Sequence, residues 1–278
     1  MPDAFAYCAE LVRNADRDRY LAALFAPAER RDALYALYAF NLEIARVRDA
    51  AHEPMPGEIR LQWWREVTGG ERSGEASANP VAAALLETIA RYRLPATQLS
   101  ELIEAHRFDL YDEPMATIAD LETYMRRTAS VVIDLAARVL GVEAQAAADP
   151  AGVALAIVGV LRALPLHAAW RQLYVPRELL ERHAVPIDAV FAGQTSKGLK
   201  SALAELGDVA RRQLAAAHQL VPKLPPAALP AFLPVALVRP SLDRLERSDV
   251  FAPAELSAWR RQWLIWRAAR DPARIAGR

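Results

Sequence analysis

The chain has 278 residues, 53% of them hydrophobic and 24% charged, which is enough to bury a sizeable core and argues against global disorder. Lysine plus arginine and aspartate plus glutamate each number 34, so no general attraction to nucleic acid is expected. The single cysteine, Cys8, excludes a disulfide framework, and we expect a buried, inert thiol. The first ten residues do not resemble a secretory signal, and the longest uncharged apolar run, residues 151–161, is about half a membrane span. A soluble protein of a reducing compartment is therefore predicted.

The predicted elements are all helices. Glycine is scarce, and the hairpin dipeptides Asn-Gly and Asp-Gly are absent. Apolar residues at helical spacing predict a first long helix from Pro27 to Asp49. Further helices are predicted at residues 58–67, 80–92, 96–110, 118–140, 150–164, 177–183, 199–220 and 256–270. Thr117 and Asp120 form a capping-box variant at the start of the helix at 118–140, and Gly141 suits a left-handed cap at its end.

The connections are too short to separate independent domains. Residues 69–79 form a polar loop, and residues 220–240, with six prolines, are predicted to be a rigid connection with one short helix. Alternating charges at residues 16–19 suggest a neutralised surface turn. One all-α domain of roughly ten helices, covering residues 1–278, is the prediction.

Few residues carry an obvious chemistry. Asp109 and Asp112 form the best carboxylate cluster, but their place at a helix end favours a solvated terminus. The five histidines form no metal-ligand pair. Trp259, Trp263 and Trp266 share one helical face, which favours core or interface packing, with neighbouring arginines able to stack on the rings.

Three segments resemble the squalene/phytoene synthase family. Residues 25–49 (FAPAERRDALYALYAFNLEIARVRD) resemble its first substrate helix, residues 156–176 (AIVGVLRALPLHAAWRQLYVP) its second, and residues 119–141 the helix between them. The resemblance implies the isoprenoid-synthase fold, a single-domain helical bundle around a central cavity. In active members, two aspartate-rich motifs across that cavity hold Mg²⁺, which holds the diphosphate of a prenyl substrate.

The motifs themselves depart from the family pattern. Where active members carry Asp-Asp-x-x-Asp, this chain has Ala45, Arg46 and, as the last position, Asp49. The family tyrosine is present as Tyr38, but Leu42 stands where an arginine is usual.

In the second motif Arg162 is kept, the two aspartates are Ala163 and His167, and Tyr174 matches a loop tyrosine. One carboxylate is too few for hard Mg²⁺, so we expect no metal site, no cofactor and no ordinary prenyl transfer.

The changes match one subset of the family, which includes the mitochondrial complex I assembly factor related to phytoene synthases. The runs AFNLE (39–43), RLQWW (60–64) and LRALPLH (161–167) carry this likeness. It implies a non-catalytic protein that supports assembly of respiratory complex I, with complex I subunits or assembly intermediates as partners. The Ala/Arg composition and the lack of a presequence favour a bacterial cytoplasmic protein, with peripheral contact at the inner membrane left open.

The altered pocket is expected to bind a lipid or prenyl ligand, with Arg162 and His167 holding an anionic head group without metal. Its predicted residues are Tyr38, Asn41, Leu42, Glu43, Ala45, Arg46, Asp49, Arg162, Ala163, His167 and Tyr174. Alternatively, these polar groups satisfy one another in a core.

Two other functions stay open. One is an active farnesyl or geranylgeranyl diphosphate transferase with rearranged Mg²⁺ ligation at Asp49, Asp109 and Asp112. The other is a lipid- or prenyl-binding carrier.

Overall fold

The computed structural model describes residues 3–50 and 53–277, with the side chains of residues 49, 50 and 73 left aside. Within these residues every regular element is helical and no strand occurs, which confirms the all-α prediction. The first half contains α1 (Ala4–Ala15), α2 (Arg17–Ala23), α3 (Ala28–Ala45), α4 (Val47–Ala50), α5 (Pro54–Gly69), α6 (Ser73–Ala76), α7 (Pro80–Tyr92), α8 (Ala96–Ala105), α9 (Ile118–Met125) and α10 (Val131–Val139). The second half contains α11 (Gln145–Ala169), α12 (Arg177–Arg182), α13 (Ile187–Phe191), α14 (Lys197–Leu220), α15 (Leu229–Phe232), α16 (Val238–Leu245) and α17 (Ala258–Arg270). Short 3₁₀ turns lie at His106–Leu110, Val221–Lys223, Pro226–Ala228, Leu233–Leu237 and Pro272–Arg274.

The helix predicted from Pro27 to Asp49 is two helices. α3 ends at Ala45, and the backbone of Arg46 leaves the helical region with φ −101° and ψ 11°. α4 then starts a new turn at Val47. The break lies within the predicted first motif, so its residues do not share one continuous helical face.

The helix predicted at residues 118–140 is continuous but changes its winding. A π-helical turn, Arg126–Ser130, joins α9 to α10. The capping box at Thr117 and Asp120 is confirmed in both directions. Gly141 has φ 87° just past the end of α10, as predicted.

Two connections are more ordered than predicted. Residues 16–19 are not a turn, because Asp16 caps α2 by accepting a hydrogen bond from the Arg19 amide. Residues 220–240 contain several consecutive short helices rather than one, and the side chains of residues 228–238 are largely buried. Proline tolerates the first turn of a helix, which is why a proline-rich stretch can form a series of short ones.

α11 is the central helix, and it packs against α14, α10, α16 and the π turn. It extends beyond the predicted 150–164, and both Pro150 and Pro165 lie inside it. By length and composition α11 could cross a membrane, although its longest uncharged apolar run remains the predicted 151–161. Within the structure, 56% of its apolar 18-residue window is buried by other helices, as in a core helix.

The contact between α11 and the π turn requires a glycine. A Cβ atom on Gly152 would lie 2.3 Å from the Cα of Ser130, which is far inside van der Waals contact. The Ser130 hydroxyl donates to the Asp149 carbonyl at 2.8 Å beside this contact. The close approach fixes α11 against the segment that carries Tyr124, one of the site residues described next.

Candidate functional site

A buried carboxylate, Asp109, organises the polar interior of the site. It lies in the 3₁₀ turn that follows α8 and is 6% exposed. Its oxygens accept hydrogen bonds from the Tyr174 hydroxyl at 2.6 Å and from the Tyr124 hydroxyl at 2.8 and 3.0 Å. His106 Nδ1 lies 2.6 Å from the same carboxylate. The prediction of a solvated helix end is therefore wrong for Asp109, which is enclosed by donors from three segments of the chain.

The two tyrosines are held as hydrogen-bond donors. Burial, together with the nearby Asp109 carboxylate, raises the pKa of Tyr124 and of Tyr174 well above the usual value for a phenol. Both hydroxyls therefore stay protonated at neutral pH. Gln172 Nε2 donates to the Tyr174 oxygen at 2.6 Å and completes that hydroxyl's bonding.

Arg48 ties α4 to the rest of the site. Its guanidinium donates to the backbone carbonyls of Asp109 at 2.8 Å, Trp170 at 3.2 Å and Tyr111 at 3.4 Å. It also pairs with the Asp112 carboxylate at 2.5 Å. Trp170 ends α11, so the cation lies at a helix C-terminus, where the helix dipole favours positive charge.

His167 is a neutral group in an aromatic setting. Its ring lies 4.7 Å from that of Tyr174, and its Nδ1 is buried without a hydrogen-bond partner among the described residues. Burial lowers the pKa of His167 to about 4, with Asp109 opposing the shift and Arg48 adding to it. The side chain therefore offers a polar, uncharged nitrogen rather than a cation. Ala163 lies one helical turn earlier on the same face of α11.

Arg162 and His167 do not converge on one anion. They are five positions apart on α11, which places them about 140° apart around the helix. Arg162 pairs with Glu255 at 2.6 Å, in the segment before α17. The expected metal-free site for an anionic head group, built from these two residues, is therefore not assembled.

The remaining predicted residues of α3 are spread over its faces. Tyr38 and Asn41 are buried, and Leu42 is partly buried against the core. The Tyr38 ring lies 5.5 Å from the Arg19 guanidinium, and burial raises the pKa of Tyr38 above its ordinary value. Ala45 and Arg46 are exposed, and the side chain of Asp49 lies outside the described residues.

Two of the sequence runs singled out above meet in the structure. Glu43 forms an ion pair with Arg60, which joins the run at 39–43 to the run at 60–64. One turn earlier, Phe40 packs edge-on against the buried Trp64, with ring centroids 5.1 Å apart. The paired runs thus form one structural unit between α3 and α5.

The described residues do not fit a magnesium centre. Asp109 already accepts hydrogen bonds from three side chains, and Asp112 is exposed and paired with Arg48. In the part of the chain that the structure describes, no group of three histidine, cysteine or acidic side chains is arranged to hold a metal. The alternative ligand set is thus reduced to two carboxylates with other partners and to Asp49, whose side chain is not described.

Sequence reasoning missed Tyr124, His106 and Gln172. The available signal was weak: His106 and Asp109 lie three residues apart, a spacing that brings side chains together on a helical turn. Tyr124 lies on the predicted helix at 118–140, but its partner comes from another segment 15 residues earlier.

Known proteins resemble this chain over most of its length. A family model described as squalene/phytoene synthase matches residues 12–267. Complex I assembly factor 6 from Rattus norvegicus is 32% identical over 259 residues, which cover 91% of this chain and 78% of that protein. The Homo sapiens factor of the same name is 30% identical and covers 89% and 76%. Among solved structures, a dehydrosqualene synthase superposes with a TM-score of 0.82 at 19% identity, covering 96% of this chain and 95% of that one, which shows the shared fold.

Proposed function

The chain belongs to the squalene/phytoene synthase family, and on that premise we propose that it is a non-catalytic member that supports assembly of respiratory complex I. The observation that carries the complex I role is the likeness to the assembly factor 6 proteins, at 32% identity across 91% of this chain. The proposed partners are complex I subunits or assembly intermediates.

The non-catalytic half of the proposal is supported by the site. Ionising a prenyl diphosphate needs cations on the leaving group, and the motif positions carry Ala45, Arg46, Ala163 and His167. His167 is largely buried, uncharged and packed against the Tyr174 ring, and the buried carboxylate Asp109 is engaged by two tyrosines and a histidine. The polar side chains of this interior bond to one another, which supports a fold retained for binding rather than for bond cleavage.

The proposed location is the cytoplasm, at the face of the inner membrane where the peripheral arm of complex I is assembled. Such a protein would meet its partners while they dock on the membrane. A buried lipid or prenyl molecule is compatible with the role, because a hydrophobic interior needs no metal to hold one.

Gene deletion tests the proposal directly. Membranes of the deletion strain should lose NADH:quinone oxidoreductase activity, and the gene supplied in trans should restore it. Succinate:quinone oxidoreductase activity in the same membranes is the control and should be unchanged. Normal complex I activity in the deletion strain would overturn the complex I role.

A variant of the last motif carboxylate separates this function from the transferase alternative. Asp49→Asn, expressed at the wild-type level, should complement the deletion fully, because the proposal assigns Asp49 no metal. Purified protein incubated with farnesyl or geranylgeranyl diphosphate and Mg²⁺ should release no diphosphate. Turnover that Asp49→Asn abolishes would instead establish an enzyme.

A further inference from the structure

The last long helix, α17, exposes its largest apolar side chains. Trp259 is 72% exposed, Trp266 42% and Trp263 39%. Half of the six tryptophans in the chain thus lie on one outward face. Their spacing predicts core or interface packing, and the structure excludes the core. Monomeric proteins rarely leave several large aromatic side chains together in water, and such patches mark contact surfaces.

The opposite face of α17 fixes this orientation. Ile265 and Ala268 are buried against the protein. Arg261 forms a two-pronged ion pair with Asp18 on α2, with Nε 2.9 Å from Oδ1. The helix therefore cannot roll to bury its tryptophans without breaking a bidentate pair and exposing its apolar contacts.

The outward face is also positively charged. Arg260, Arg267 and Arg270 fall within about 120° of arc that includes the tryptophans. Arg267 lies 4.3 Å over the Trp263 ring and Arg270 3.9 Å over the Trp266 ring, so the rings hold two of the guanidiniums at the surface. The segment Ala258–Arg270 contains no acidic residue, and Asp271, which follows it, pairs with Arg274.

This combination matches one kind of surface. Tryptophan prefers the boundary between lipid head groups and acyl chains, and arginine binds phosphate in a bidentate manner. A helix that lies flat in that boundary carries aromatic and basic residues together. We propose that the Trp259/Trp263/Trp266 face of α17 docks on the surface of an anionic phospholipid bilayer, with Arg260, Arg267 and Arg270 contacting lipid phosphates.

The proposal bears on where the protein works and does not require the complex I role. It is tested on the purified full chain, so a negative result here leaves the deletion experiment above unaffected. Vesicles of phosphatidylcholine mixed with phosphatidylglycerol in equal parts should sediment the protein, and vesicles of phosphatidylcholine alone should not. Binding should weaken as salt is added, because the arginine–phosphate attraction is screened. Tryptophan emission should shift to shorter wavelength on binding, since α17 contains three of the six fluorophores.

Matched variants locate the contact. Arg260→Gln/Arg270→Gln should weaken binding on the order of tenfold or more, at about fivefold per arginine. Trp259→Ala should weaken binding and reduce the emission shift, and this exposed residue can be removed without disturbing the core. Arg13→Gln and Ile59→Ala alter exposed side chains on α1 and α5 and should leave binding unchanged. Circular dichroism establishes that each variant is folded.

Three results would overturn the proposal. Equal binding to neutral and anionic vesicles would remove its electrostatic basis. Loss of binding in Ile59→Ala but not in Trp259→Ala would move the contact to α5. Self-association that Trp259→Ala abolishes, without vesicle binding, would make the face an interface between copies of the chain.

Discussion

The Tyr174 hydroxyl donates to the Asp109 carboxylate at 2.6 Å, joining residues that lie 65 positions apart in the chain. The bond connects the turn after α8 to the segment after α11. With the bonds from Tyr124 and His106, it makes one buried carboxylate the common hydrogen-bond partner of side chains from three segments of the chain.

Removing this acceptor should destabilise the fold. Asp109→Ala leaves two tyrosine hydroxyls and the His106 ring buried without their partner, which should lower the free energy of unfolding by about 3 kcal/mol or more. Urea denaturation followed by circular dichroism measures the change. Asp112→Ala is the control: its carboxylate is exposed and forms an ion pair with Arg48 at the surface, so the loss should stay under about 1 kcal/mol. Equal losses in the two variants would contradict the central place of Asp109.

His167 should make stability depend on pH. Its pKa is about 4 in the folded protein and 6.5 in an unfolded chain, so between these values the unfolded state binds more protons. The free energy of unfolding should therefore fall as pH decreases from 6.5 to 4, and this part of the slope should be missing in His167→Gln. Comparison of the two proteins across that range isolates the contribution, because carboxylates titrate in both. At pH 8 the ring is neutral in both states and contributes no slope. Identical slopes between pH 6.5 and 4 would show that the ring is protonated in the folded protein.

Gly152 and Gly159 offer a matched pair on α11. A methyl group at position 152 would overlap the Ser130 backbone, so Gly152→Ala should cost about 1–3 kcal/mol of stability. A methyl group at position 159 meets nothing within 4 Å, and Gly159→Ala should stabilise the helix by up to about 1 kcal/mol. Thermal unfolding of the two variants should move in opposite directions. A neutral result at position 152 would mean that α11 can shift away from the π turn at little cost.

The single thiol should report on unfolding. Cys8 is fully buried, and burial raises its pKa to about 12, with Asp3 and Glu43 adding to the shift. At pH 8 the native protein should leave a chromogenic disulfide reagent unreacted, and denaturant should release one equivalent of thiol. Rapid labelling of the native protein would contradict the expected inert thiol.

Periodicity predicted much of the fold. The predicted helix at 80–92 coincides with α7, Pro80–Tyr92, because Asn79 caps its start and Arg93 ends it in a left-handed conformation. The break at Arg46 and the π turn at Arg126–Ser130 escaped prediction, since no proline or glycine marks either position and tertiary packing decides the local winding. Periodicity also does not predict which face of a helix is buried. The tryptophans of α17 share a face, but their spacing does not tell whether that face meets solvent.

The site was predicted in part. Tyr174 and His167 were both expected in the pocket, and they lie against each other in the structure. The position of Asp109 at a predicted helix end favours a solvated carboxylate, because charged residues at such ends usually face water. Part of the enclosure of Asp109 comes from Tyr174, 65 residues later, and a contact of that separation leaves no trace in a local pattern. The resemblance to the family's second motif predicts that Arg162 and His167 share one site, whereas the structure pairs Arg162 with Glu255, 93 residues away.

Four oxygens surround the Arg48 guanidinium, and the positive charge that they bind belongs to a side chain and not to a free ion. A positive charge attached to the chain keeps a fixed local concentration, whereas a bound ion dissociates on dilution. The contacts that Arg48 makes from α4 to the end of α11 and to Asp112 therefore survive dialysis and chelators. High ionic strength or neutralisation of Asp112 should weaken the ion pair between Arg48 and Asp112. The cation that these oxygens surround is therefore a side chain of the protein itself, the Arg48 guanidinium.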